Sequence, residues 1–294
     1  MNLFEKLFIS GDWHIAFRKN IKLWPFDYDV PFKEIKGEKG YWYADPLLFE
    51  YKGGLFLFCE AFNQKRQAGE ICVFSHNGQE WVNPRIIISP NYHVSYPCVF
   101  EYNGECYMIP ESQEAKCIEI YKAVVFPYKW VKVKNLLEDC VVADPTVVKY
   151  DDKLFLLGYT GMKPYKLSIY RLDINNLNLQ PIDEIVYDDN CGRPAGRLIP
   201  YHNGFIRPSQ DCRYIYGDSI IWNNFELESG KFKENVIGGM DKGKIKIKDF
   251  YHVDRVHTYD RCGDFEVIDY NIHTFDLFKR IRILWRKYKR WRRN

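Results

Sequence analysis

A segment of about 50 residues recurs along the chain, and this repeat limits the possible folds more than any other feature. "ADPLLFEYKGGLFLFCEAF" from Ala44 is followed by "SYPCVFEYNGECYMIPES" from Ser95, "ADPTVVKYDDKLFLLGYTG" from Ala143 and a looser "AGRLIPYHNGFIRPSQDC" from Ala195. Anchored on Asp45, Tyr96, Asp144 and Gly196, the copies lie 51, 48 and 52 residues apart. A degenerate fifth, "VHTYDRCGDFEVIDY", begins at Val256.

Each copy reads as an apolar strand, a turn at Gly53, Gly104, Asp151-Asp152 or Asn203-Gly204, and a returning strand. Between copies lie further strand-like pieces such as "GEICVFSHNGQEWV" and "KLSIYRLDI". Four short strands per unit mark a propeller blade, and about five such units fit 294 residues. The expectation is an all-β, five-bladed β-propeller over 1–274, with the N-terminal "DWHIAFRK" supplying a strand that closes the ring. The chain carries no G-x-G-x-x-G after a strand and no alternation of strands with long helices, which excludes a Rossmann-type reading.

With 46% apolar residues, 22 Tyr, 20 Phe and 8 Trp, the chain can bury a large core, and its aromatic and β-branched bias favours strands. The nine cysteines show neither C-x-x-C pairs nor zinc spacing, so the expectation is free thiols in a reducing compartment, with no metal. The start, "MNLFEKLFISGDWHIAFRK", lacks the apolar core of a signal peptide, and no run approaches the roughly 20 apolar residues of a membrane span. A cytoplasmic protein is expected.

In a propeller the innermost strand of each blade faces the central channel, so residues repeated at its head converge. Asp45 and Asp144 occupy that position, and fifteen residues past each anchor come Glu60, Glu111, Tyr159 and Asp211. Carboxylates sharing one pocket can split their pKa values, one acting as base or nucleophile and another as acid, the chemistry of glycosyl transfer and hydrolysis. Trp42, Tyr43, Tyr96 and Tyr159 are candidate flat faces for a sugar. The bland alternative is that each Asp-Pro only begins a strand, the Asp capping a turn.

The fourth copy gathers Arg193, Arg197, Arg207, Gln210 and Asp211, and "VHTYD" adds His257. Arginine forks bind phosphate or carboxylate in a bidentate way, so these residues could hold the anionic part of an activated sugar donor, or pair with acids to bolt the blades together. Asp27-Tyr28-Asp29 has the D-x-D form of some metal-nucleotide sites, without the α/β surroundings that give it meaning.

The last sixteen residues, "KRIRILWRKYKRWRRN", hold nine Lys or Arg and no acid, although the whole chain carries 42 basic and 39 acidic side chains. The body is therefore net acidic. Phe278, Ile281, Leu284, Trp285, Tyr288 and Trp291 recur at helical spacing, which predicts a basic amphipathic helix over 275–294. Such a helix suits an anionic membrane surface, where each basic residue contributes on the order of 1 kcal/mol. A partner-binding helix and a nucleic-acid arm are the alternatives, and the acidic body disfavours nucleic acid.

"YPCVFEYNGECYMIPES", "ADPTVV", "HNGFIRPSQDCRYIYG" and "HTYD...FEVIDY", in this order, resemble the propeller domain at the N-terminus of plant glucosamine inositolphosphorylceramide transferases and of stand-alone bacterial relatives encoded with surface-polysaccharide enzymes. The likeness covers roughly Trp42 to Tyr270. More distantly, the ring of acids is similar to the five-bladed glycosidases acting on arabinans, xylosides and fructans. Asp45 and Asp144 match their first two acids by position; where a later blade should supply a Glu, this chain offers Gln210 and Asp211. The resemblance implies a glycosyltransferase-like enzyme using an activated sugar donor, a nucleotide sugar or sugar phosphate, on a lipid-linked glycan or glycolipid at the inner membrane face. In that reading Asp45 is the base, Asp144 orients sugar hydroxyls, Glu111 or Asp211 is the second carboxylate, and Arg197 and Arg207 bind donor phosphate. A glycoside hydrolase and a non-catalytic carbohydrate-binding propeller remain the alternatives.

Overall fold

A computed structural model describes residues 9–22, 27–228, 230–248 and 252–275. It is a five-bladed β-propeller, each blade a four-stranded antiparallel sheet. From the inside outward, the first blade comprises Tyr41–Tyr51, Gly54–Asn63, Ala68–His76 and Trp81–Ile88. The second comprises Ser95–Tyr102, Glu105–Glu111, Cys117–Val125 and Lys129–Glu138, and the third Ala143–Tyr150, Lys153–Thr160, Tyr165–Asp173 and Asn178–Tyr187. The fourth has a short inner strand, Ile199–Tyr201, followed by Gly204–Asp211, Ser219–Glu228 and Lys231–Gly239.

The fifth blade is a composite. Tyr259–Cys262 and Phe265–Asn271 come from the end of the repeat region, whereas Trp13–Lys19 and Lys33–Ile35 come from the N-terminus. Trp13 pairs with Asn271 and Lys19 with Phe265, so the two ends of the chain are hydrogen-bonded into one sheet and the ring closes. "DWHIAFRK" plays its expected part. Ring closure in this manner removes the edges that open sheets leave exposed.

Alternation along the strands builds one core at each blade interface. In the second strand of the first blade, Leu57 and Cys59 face back against Ile15 and Val267 of the fifth blade, whereas Phe58 faces forward against Val99 and Met108 of the second. Three further clusters fill the remaining interfaces, among them Ile109 with Leu156, Leu157 with Phe225, and Trp222 with Tyr259. Both faces of the inner strands of the first three blades are therefore buried, which explains why they read as continuous apolar runs, whereas the outermost strands are largely exposed.

All nine cysteines are free thiols. Among the described residues helical structure is limited to two 3-10 turns, and no helix is long and apolar enough to cross a membrane. The basic helix expected from 275 onward falls on 276–294, outside the described residues. Thr274–Phe275 themselves pair with Ile9–Ser10.

Candidate active site

Three inner strands open on the same device. Their ladders slip between Ala44 and Leu47, Ser95 and Cys98, and Ala143 and Thr146, bracketing Asp45-Pro46, Tyr96-Pro97 and Asp144-Pro145. Proline has no N–H for the ladder, and a bulge accommodates it. The residue before each proline turns left-handed, with φ of 52° at Asp45, 44° at Tyr96 and 46° at Asp144. Gly196, at the same position of the fourth blade, has φ of 135°, and a Cβ there would stand 1.8 Å from the Tyr259 carbonyl oxygen, so only glycine fits.

The bulge leaves each anchor's N–H off the ladder, and a side chain near the axis accepts it. Asp45 N–H donates to Asp269 Oδ2 at 2.9 Å, Tyr96 N–H to Asp45 Oδ2 at 3.3 Å, Asp144 N–H to Glu111 Oε2 at 2.9 Å, and Gly196 N–H to the Tyr96 hydroxyl at 2.9 Å. Asp45, Glu111 and Asp269 thus have a structural duty, and left-handed non-glycine residues held this way commonly mark functional positions.

Two groups of side chains stand around these anchors. In one, Arg193 lays its fork on Asp144, Nη2 to Oδ1 at 3.0 Å, and the same Nη2 reaches Glu111 Oε2 at 3.1 Å. Gln210 donates Nε2 to Asp144 Oδ2 at 2.8 Å and to the Pro194 carbonyl at 3.0 Å. Burial pushes the Asp144 carboxyl up to about 7 despite Arg193, with Glu111 pushing the same way.

In the other group, Asp45 Oδ1 accepts the Thr258 hydroxyl at 3.0 Å and faces His257 Nε2 at 3.6 Å. On the far side of the imidazole, Nδ1 lies 2.6 Å from Asp269 Oδ2, a close ionic contact although the N–H is not aimed along it. Asp269 Oδ1 also accepts the backbone N–H groups of His257 and Thr258, at 3.0 and 2.8 Å. Burial raises Asp45 to about 6, against the downward pull of His257. Glu60, cross-strand from Ala44, is held well above the ordinary carboxylate range by burial and then by Asp45. Its neighbour His93 presents Nε2 to Glu60 Oε1 at 3.4 Å while Nδ1 accepts the Gly69 N–H.

Of the residues expected to form the site, Asp45, Asp144, Glu60, Glu111, Arg193, Gln210 and His257 thus belong to these two linked groups. Asp211 stands apart: its carboxylate is forked by Arg213, Nη2 to Oδ2 at 2.7 Å, and that bond above all lowers its pKa. The register explains this. Glu60 and Glu111 lie opposite Ala44 and Ser95, the residues before their anchors, but in the fourth blade the chain ahead of Gly196 is irregular, with Gln210 N–H bonded to the Arg193 carbonyl.

The forks of Arg197 and Arg207 are engaged by acids. Arg197 holds Asp260 at 2.7 Å, and Asp260 also accepts the Leu48 N–H of the first blade. Arg207, 0% exposed, is clamped by Glu234 and the Tyr187 hydroxyl. These contacts are the bolting alternative. Tyr96 is fully buried and bonded to Thr146, Tyr159 is buried and bonded to Asn190, and Trp42 stacks on Phe62 with centroids 4.4 Å apart. Asp27 caps its own turn by accepting the Asp29 N–H.

Sequence reasoning missed Asp269, Thr258, Trp13 and Tyr216. Trp13 stacks on His257 at 4.0 Å, and Tyr216 packs edge-on to the same ring at 5.3 Å while its face lies 5.2 Å from the Arg193 guanidinium carbon. Asp269 is the fifth-blade counterpart of Glu60 and Glu111, lying opposite Thr258 at the head of the inner strand. That blade has no bulge and an inner strand of only 4 residues, so its spacing departs from fifteen although it closes on the same two-residue turn.

Asp45, His257 and Asp269 offer ligand atoms within 4.8 Å of one another, the one such trio among the described residues. Asp269 accepts three backbone N–H groups, from Asp45, His257 and Thr258, and faces the His257 ring.

The family described as glucosamine inositolphosphorylceramide transferase 1, N-terminal, matches residues 32–263. A relative of that name from Oryza sativa subsp. indica is 30% identical over 241 residues, covering 76% of this chain and 32% of the relative. One from Arabidopsis thaliana is 30% identical over 229 residues, covering 74% and 30%. The chain therefore spans about a third of the length of the curated relatives it matches. Among solved structures, the exo-beta-1,3-galactanase of Phanerochaete chrysosporium superposes with a TM-score of 0.56 at 11% identity, over 90% of this chain and 65% of that one. A thermostable family-43 glycoside hydrolase gives 0.55 at 13% identity, over 82% and 91%. At such identities the likeness is one of fold.

Proposed function

The chain belongs to the glucosamine inositolphosphorylceramide transferase 1 N-terminal family, and from that membership we propose that it is a glycosyltransferase-like enzyme that moves a sugar from an activated donor to a lipid-linked glycan or glycolipid. The carrying observation is the split between two adjacent carboxyls. Asp45 is raised to about 6 between Thr258 and His257, and Glu60 beside it is pushed well above the ordinary carboxylate range by burial and by Asp45. A base near neutrality beside an acid of raised pKa is what glycosyl transfer requires.

Asp45 takes the proton from the attacking acceptor hydroxyl as the new glycosidic bond forms. Glu60 supplies a proton to the departing oxygen of the donor, and the Asp144, Glu111 and Arg193 group holds sugar hydroxyls and faces the donor's negative charge. The basic C-terminal segment places the enzyme on the anionic inner face of the membrane, where activated sugars and lipid acceptors meet.

The test is mass spectrometry of lipid-linked glycans after incubating the purified protein with host membranes and a panel of activated sugars, with Asp45→Asn as control. A gain of one sugar with the wild type and not with the variant supports the reading. A second reading, glycoside hydrolysis, rests on the same split pair. It predicts loss of a sugar in the same experiment. No change with any donor rejects both.

A further inference from the structure

We propose that Asp269 and His257 form a positioning pair for Asp45, in which Asp269 fixes the imidazole by its Nδ1 side so that Nε2 is presented to the Asp45 carboxylate. The inference rests on the reading of Asp45 as a base, and it assigns a role to a carboxylate the repeat pattern did not single out.

Four contacts fix the imidazole. Asp269 Oδ2 lies 2.6 Å from Nδ1, and Asp269 Oδ1 accepts the His257 N–H at 3.0 Å, so one carboxylate holds ring and backbone together. Trp13 covers one face, with centroids 4.0 Å apart and planes 24° off parallel. Tyr216 closes on it edge-on at 5.3 Å. At Gly217, φ 63°, a Cβ would come within 2.8 Å of His257 Cβ, so the chain passes the ring at a distance no side chain permits. The ring therefore cannot swing away from Asp45.

Asp269 also binds the Asp45 N–H at 2.9 Å, and Thr258, whose N–H it holds at 2.8 Å, donates its hydroxyl to Asp45 Oδ1 at 3.0 Å. One carboxylate thus sets the backbone of Asp45 and both groups that face its Oδ1. A ring nitrogen held by a carboxylate leaves the other nitrogen a defined protonation and direction, as in other histidine relays. Two flanking carboxylates favour the imidazolium, and its charge in turn favours ionised Asp45. The remaining groups acting on Asp45 are Asp144, Asp269 and Arg193, with Glu60 beside it on the neighbouring strand.

NMR of the full chain labelled with 15N-histidine tests the pair without reference to turnover, His257 being assigned by the signal lost in His257→Gln. In the wild type the His257 ring nitrogens are expected to stay protonated to a higher pH than those of an ordinary histidine. Asp269→Asn is expected to bring that titration down. A wild-type His257 that titrates like histidine in an unstructured peptide overturns the pairing, as does an Asp269→Asn protein with unchanged titration. Should Asp269→Asn not fold, Trp13→Ala loosens the ring from its other side and is expected to lower the titration too; no shift overturns the packing argument. Once transfer is established, His257→Gln is expected to move the acid limb of its pH profile up by about one unit, as Asp45 loses its cation. A lowered rate with an unmoved limb assigns His257 a purely structural part and rejects the pair. Absence of transfer with every donor rejects the reading of Asp45 as base, while the NMR titrations still decide the geometry of the pair.

Discussion

Arg193 spans two blades' worth of negative charge: its Nη2 donates to Asp144 Oδ1 at 3.0 Å and to Glu111 Oε2 at 3.1 Å, and its side chain is only 20% exposed. Removing one partner of such a set strands the others without compensation, which typically costs about 3–5 kcal/mol. Arg193→Met is expected to lose stability in that range in urea unfolding, with part of the loss restored by adding Asp144→Asn. An unaffected midpoint for the single variant would show that the fork contributes little to the ring.

Arg207 is the counterpart buried in the fourth blade, its Nε 2.7 Å from Glu234 Oε2 and its Nη2 on the Tyr187 hydroxyl of the third. Its position predicts a bolt rather than a donor site. Arg207→Lys keeps the charge but loses the fork, and is expected to cost about 1–3 kcal/mol while leaving the KM for the sugar donor unchanged. A raised donor KM in a variant of undiminished stability would return Arg207 to the phosphate role.

The repeat and the five blades were legible because the inner strands of the first three blades are buried on both faces, so each of those copies had to keep its apolar run. Asp45, Asp144, Glu60 and Glu111 were legible for a related reason: the bulge at each X-Pro holds them in register with their strands. Asp269 was not, since the fifth blade lacks the bulge and shortens the inner strand. Asp211 shared the spacing but not the surroundings, because spacing says nothing of the irregular chain between 190 and 196. The aromatic wall was hidden in another way. Trp13 comes from the far end of the sequence, and only ring closure carries it to His257.

The buried carboxyls also set how stability depends on pH. Asp45 and Asp144 titrate near 6 and near 7 in the folded chain, each above its ordinary 3.8, and Glu60 is raised as well. Between about pH 4 and 7 the folded state therefore holds more protons than the unfolded one, and stability falls as pH rises, by on the order of 1.4 kcal/mol per unit for each proton of difference. His257, raised by its two carboxylates against the effect of burial, adds stability that is likewise lost as pH rises through its folded value. Asp211, lowered by Arg213, acts oppositely but only as pH drops below the ordinary carboxylate range. Thermal unfolding is expected to show its highest Tm near pH 4 and a decline toward pH 8, and Asp45→Asn to flatten the decline. A Tm that rises between pH 5 and 7 contradicts the assigned shifts.

Glu60 gives the sharpest separation of chemistry from fold. It is 5% exposed, lies opposite Ala44 beside Asp45, and has its pKa pushed well up by burial and by that neighbour. A glutamine has the shape of a neutral carboxylic acid and still donates a hydrogen bond, but it cannot release a proton. Glu60→Gln should therefore unfold within about 1 kcal/mol of the wild type, the usual worth of one exchanged hydrogen bond. Its transfer rate should fall by about 10²–10⁴, the contribution of a general acid. Glu60→Asp, which keeps the proton but draws it back by one methylene, should recover part of the rate. Equal rates for wild type and Glu60→Gln would mean that the departing group leaves without a proton, and Asp45 would then be the one acid-base group the transfer needs.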